Sequence, residues 1–64
     1  MTGEQVRRTR KRMGFTQAEL AERMGTTRVT VARWEIGLVP VPKMAAILLR
    51  LLAQQARKRP KGGE

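Results

Sequence analysis

One segment, Thr16 to Gly37 (TQAELAERMGTTRVTVARWEIG), leaves this chain few ways to fold. Thr16-Gln17-Ala18-Glu19 has the order of a capping box. The threonine oxygen accepts a backbone N–H of the first helical turn, and the glutamate reaches back to the threonine N–H. Leu20, Ala21 and Met24 then recur on one face at helical spacing. Gly25 can take the left-handed conformation that ends a helix. Thr26-Thr27 offers a new N-cap at once. Val31 and Trp34 face inward on a second short helix, which Gly37 closes. The small Ala21, the turn glycine and the apolar anchors Leu20, Val31 and Trp34 are what two helices crossing closely around a tight turn require.

Two helices joined this way form a helix-turn-helix unit. At Gly14-Phe15-Thr16-Gln17, Glu19-Leu20-Ala21, Gly25-Thr26-Thr27 and Trp34-Glu35-x-Gly37 the chain resembles the Cro/C1-type phage-repressor family, the XRE-like regulators. The resemblance spans roughly residues 3–52. It implies an all-α, lambda-repressor-like domain of four or five helices, whose third helix enters the DNA major groove.

The flanking sequence fits that frame. Residues 2–13 read as a first helix, capped by Thr2 with Gln5 as reciprocal partner. Val6, Thr9, Arg10 and Met13 form its inward stripe. Arg7, Arg8, Lys11 and Arg12 point outward or toward DNA, and Phe15 follows as an apolar plug. A charge on an inward face needs a partner. The resemblance supplies one, because an arginine matched by Arg10 pairs in the family with the glutamate matched by Glu35. An Arg10–Glu35 salt bridge is therefore expected; the other reading leaves Arg10 exposed against a phosphate, and the two roles are compatible.

Prolines 40 and 42 favour an extended connector, and Pro42 suits the first position of the next helix. Val41 stands where the family often has a capping hydroxyl. Residues 43–58 read as one amphipathic helix about 24 Å long at ~1.5 Å per residue. No glycine divides it, unlike many repressors. Its apolar sector is wider than one side of a small domain buries. Met44, Ile47, Leu48 and Leu51 make one stripe, assigned here to the core. Leu49, Leu52, Ala53 and Ala56, with Ala45, make a second, assigned to a two-fold dimer contact; the alternative is that both stripes are core. Dimers of the family use this end of the domain, and half-sites about 34 Å apart need two recognition helices. Residues 1–58 are thus one DNA-binding domain and 59–64 a basic flexible tail.

The outward face of the third helix carries Thr27, Arg28, Val29 and Arg33. Arginine can donate a bidentate pair to guanine O6 and N7, worth about 1–3 kcal/mol of discrimination, and the thymine methyl suits Val29 and the Thr27 methyl. Guanine contacts are expected from Arg28 and Arg33, with a phosphate role as the alternative for Arg33. By resemblance, Gln17 also contacts a base or a phosphate, assisted by the helix N-terminus. Arg10, Lys43 and the backbone amide of Leu38 are further phosphate candidates. Such contacts set register without reading sequence.

Composition narrows the class. A 64-residue chain is one domain with a marginal core, and it has no cysteine or histidine to staple it. Better helix packing or self-association must supply stability. A net charge of +9 points to a polyanion partner, double-stranded DNA in this frame. Aromatics are 3%, which argues against stacking on single strands. No membrane span or signal peptide is visible, so a cytoplasmic location is expected. Ser, Cys and His are absent and the five glutamates do not form a catalytic pair, so no enzyme, cofactor or metal site is expected. The reading is a sequence-specific regulator, a repressor acting as a homodimer on a pseudo-palindromic operator. The alternative is an antitoxin-like or RNA-polymerase-binding module whose last helix binds a second protein. A third reading, non-specific nucleoid or RNA binding, rests on charge alone.

Overall fold

The computed structural model describes the backbone of residues 1–58 and the side chains of residues 1–55. Four helices follow one another, α1 (Gly3–Met13), α2 (Gln17–Met24), α3 (Arg28–Glu35) and α4 (Lys43–Lys58), with no strand among the described residues. The expected tail and the side chain of Ala56 lie outside what is described.

Local chemistry sets the helix starts. At α1 the Thr2 N–H donates to Gln5 Oε1 at 2.9 Å, and the Gln5 N–H donates to Thr2 Oγ1 at 3.2 Å. At α2 the Thr16 N–H donates to Glu19 Oε1 at 2.8 Å, and the Glu19 N–H returns to Thr16 Oγ1 at 3.1 Å. Each box satisfies donors that a helix start otherwise leaves bare. Thr27 caps α3 by accepting from the Thr30 N–H at 3.3 Å. The turn between α2 and α3 hinges on Gly25, whose φ of +74° most side chains avoid.

The core forms where the four helices converge. Val6, Leu20, Ala21, Val31, Trp34 and Leu49 are buried, and Met13, Phe15, Met24, Val41, Ala45 and Leu52 pack around them. Each helix of the helix-turn-helix unit contributes one stripe, which fixes its rotation. Ala21 lets α2 and α3 approach closely.

α4 is a single continuous helix, but its rotation departs from the sequence reading. Leu49 is 1% exposed at the centre of the core, and Leu52 packs beside it. Ala53 faces α1 across a shallow pocket. Leu49 and Leu52 therefore pack within the chain, and their assignment as a dimer contact is corrected; Ala53 is partly buried on the side facing α1. The stripe assigned to the core is the outward one: Met44 is 76%, Ile47 44% and Leu51 49% exposed. Periodicity could not choose between two apolar stripes. The connector does, because Val41 packs on the core and places Ala45, Leu49 and Leu52 below it at steps of four, four and three residues. Pro42 precedes the helix rather than opening it. Its carbonyl accepts from the Ala46 N–H at 3.0 Å, the role of an N-cap residue.

Gly3 has a role that the sequence reading missed. A Cβ there would run into the Trp34 carbonyl oxygen and lie 2.8 Å from that of Glu35. Glycine at this position lets the first turn of α1 abut the end of α3.

Candidate nucleic-acid interface

α3 presents two unlike faces because its residues obey helical spacing. Val31 and Trp34 enter the core, while Arg28, Val29 and Arg33 are exposed on the other side. Val29 is half exposed. Thr27 is exposed at the first turn, with its hydroxyl 2.9 Å from that of Thr30. Two arginine forks, a branched apolar group and a hydroxyl thus share one convex ridge, with no acidic side chain on the outward face of α3. Such a ridge suits base edges and phosphates.

Behind the ridge, one carboxylate joins three helices. Arg10 Nε donates to Glu35 Oε2 at 2.6 Å, and its Nη2 donates to Oε1 at 3.2 Å. Arg10 Nη1 donates to the Phe15 carbonyl at 2.9 Å. Gln17 Nε2 donates to Glu35 Oε1 at 3.1 Å. The Arg10 and Glu35 side chains are only 12% and 5% exposed. Burial is the largest single influence on Glu35 and resists its ionisation. The hydrogen bonds from Arg10 and Gln17, with the charges of Arg10 and Arg7, outweigh it and hold the carboxyl below its ordinary value. Glu35 is therefore a fixed anion at the end of α3, and the start of α2 is tied to it through Gln17.

This network redistributes the expected phosphate contacts. The expected Arg10–Glu35 salt bridge is present and commits Arg10 within the molecule, so its further assignment as a phosphate ligand is corrected. Its three hydrogen bonds and low exposure leave no fork for DNA. The Leu38 amide is likewise corrected, since it donates to the Arg33 carbonyl at 3.0 Å. That bond and the Gly37 N–H to the Trp34 carbonyl, at 3.1 Å, close the end of α3 on itself. Lys43 stays exposed at the start of α4. Arg7, one turn before Arg10, is exposed yet close enough for its charge to act on Glu35. That fits its expected outward orientation on α1.

A family model described as helix-turn-helix matches residues 6–53, about three-quarters of the chain. The chain belongs to the Cro/C1-type helix-turn-helix family. No curated protein and no solved structure gives a significant match. Membership makes the four-helix arrangement a lambda-repressor-like DNA-binding helix-turn-helix domain. This Cro/C1-type domain partners double-stranded DNA. No helix among the described residues is long and apolar enough to cross a membrane. The described residues hold no group of three or more acidic, His or Cys side chains placed to bind a metal.

Proposed function

We propose that the chain is a sequence-specific transcriptional repressor acting in the cytoplasm, which binds a pseudo-palindromic operator as a homodimer. The observation that carries this reading is the ridge of Arg28, Val29 and Arg33, held outward by the burial of Val31 and Trp34. Arg28 and Arg33 read guanines, Val29 and Thr27 meet thymine methyls, and Gln17, Lys43 and Arg7 hold the backbone. Base readout needs a rigid helix, and the Arg10–Glu35–Gln17 network supplies that support.

The dimer rests on the outward stripe of α4. Met44, Ile47 and Leu51 border an apolar groove of 490 Å³ that continues onto Met24, Thr26 and Trp34, and none of its lining residues is charged. Two chains of net charge +9 repel over most of their surface. An uncharged apolar face is where two copies can meet with least electrostatic cost, and a two-fold axis would bury the stripe against itself.

Selection from a random duplex pool at physiological salt tests the reading. A two-fold symmetric motif with half-sites about one turn, ~34 Å, apart is expected. Absence of any enriched sequence would overturn specific recognition. An enriched single half-site would overturn the dimer and leave the α4 stripe to a different protein, such as a toxin or a polymerase subunit.

A further inference from the structure

The flank of α1 that meets α4 carries a feature that DNA recognition does not use. Met1 and the α1 residues Gln5, Thr9 and Arg12 converge with Arg50, Ala53 and Gln54 of α4 on a concave pocket of 330 Å³. The pocket offers two guanidinium groups, two side-chain amides and a hydroxyl, and no carboxylate lines it. Among the described residues the ion pairs are Arg8–Glu4 and Arg10–Glu35, so neither Arg12 nor Arg50 is paired there. Two cations facing one concavity repel each other, and a cleft focuses their field. A single dianion would neutralise both.

The polar groups are suited to the same ligand. The capping box holds Gln5 Oε1 against the Thr2 N–H at 2.9 Å, which leaves the Gln5 amide nitrogen as the free, donating end. Thr9 and Gln54 add further donors. Guanidinium forks match phosphate oxygens in pairs, and a phosphomonoester carries about −1.5 to −2 charges near neutral pH. The volume lies at the small end of the ~300–1,000 Å³ range of small-molecule sites.

The pocket also lies away from the recognition ridge. Arg12 follows Arg7 by five residues, which places it about 140° further round α1. Arg7 is on the flank facing Glu35 and the end of α3. An occupant at Arg12 and Arg50 therefore need not compete with DNA for α3.

We propose that the α1–α4 pocket is an anion site for a phosphate-bearing group, held between Arg12 and Arg50 with Thr9, Gln5 and Gln54 as supporting donors. This inference does not depend on the operator reading. The group can come from a free phosphorylated small molecule or from a DNA backbone, and the test separates them.

The test follows the backbone amide resonances of the full chain during titration with inorganic pyrophosphate at constant ionic strength, with sodium chloride as control. Saturable shifts centred on Thr9, Arg12, Arg50 and Ala53 are expected. Arg12→Gln and Arg50→Gln should each weaken pyrophosphate binding by about tenfold or more while the remaining resonances keep their positions. The Arg33→Gln variant should leave pyrophosphate binding unchanged. Shifts that never saturate, that chloride reproduces, or that centre on α3 would overturn the site. A second titration uses a non-operator duplex. Response of the same amides to both probes assigns the site to phosphate in general, and response to pyrophosphate alone assigns it to small molecules. Response to the duplex alone would overturn the free small molecule as the source.

Discussion

Arg10 and Glu35, 25 positions apart in the chain, close a two-pronged ion pair that joins the end of α1 to the end of α3. Removing one partner leaves the other charge buried and unpaired, which costs about 3–5 kcal/mol for a fully buried pair and less for one with some solvent access. Arg10→Ala is expected to lower unfolding stability by about 2–3 kcal/mol, read as a reduced urea midpoint at unchanged slope. A change within about 0.5 kcal/mol would show that the pair only orients the helix.

The same pair makes stability depend on acid. Glu35 titrates below its ordinary value in the folded chain, so the unfolded state takes up its proton first as pH falls. Its contribution is fully present above the ordinary carboxylate range and declines as pH drops through that value toward the folded one. Glu35→Gln should remove this component. Thermal midpoints of the two chains measured from neutral to acid pH are expected to converge at the acid end. Parallel curves would rule out Glu35 as the source.

Gly3 offers a test in which helix propensity and packing oppose each other. Alanine favours a helix interior over glycine by about 1 kcal/mol. At Gly3, however, the added Cβ meets the carbonyl oxygens of Trp34 and Glu35, which are backbone and cannot swing away. Gly3→Ala is therefore expected to destabilise the chain and to lower operator affinity by shifting α3. A stabilised variant with unaltered binding would mean that α1 slides at little cost.

Recognition and attachment should separate in their salt dependence. Arg28→Ala is expected to relax preference at one base position by about 1–3 kcal/mol and leave the salt slope nearly unchanged. Lys43→Ala should weaken all sequences alike and reduce the slope by about one. The measurement is binding to operator and scrambled duplexes at several salt concentrations. A uniform loss for Arg28→Ala would make it a backbone contact.

The two stripes of α4 respond oppositely if their rotation is as described. Leu49→Ala should cost about 2–5 kcal/mol, since Leu49 is fully enclosed. Met44→Glu should leave the monomer folded and shift sedimentation from dimer to monomer, because Met44 is mostly exposed. Circular dichroism and sedimentation on the same samples check both. Unfolding by Met44→Glu would place that stripe in the core after all.

Much of this molecule is written in short-range chemistry. Thr2 with Gln5 and Thr16 with Glu19 fix two helix starts by groups three residues apart. Gly25 and Thr27 fix the turn between α2 and α3, and Val31 and Trp34 fix which side of α3 looks outward. These features depend on neighbours in sequence, so the sequence alone determined them, together with a continuous α4. The tertiary structure decided what depends on residues far apart. It chose which apolar stripe of α4 is buried, because the path through Val41, not periodicity, sets the helix rotation. It turned the Leu38 amide onto the Arg33 carbonyl, and it added the Phe15 carbonyl and Gln17 to the Arg10–Glu35 pair that the sequence already implied. It also set Gly3 against the carbonyl oxygens at the end of α3 and drew Arg12 and Arg50 to one pocket. Close approach between distant segments is a property of packing, and no local pattern in the chain encodes it.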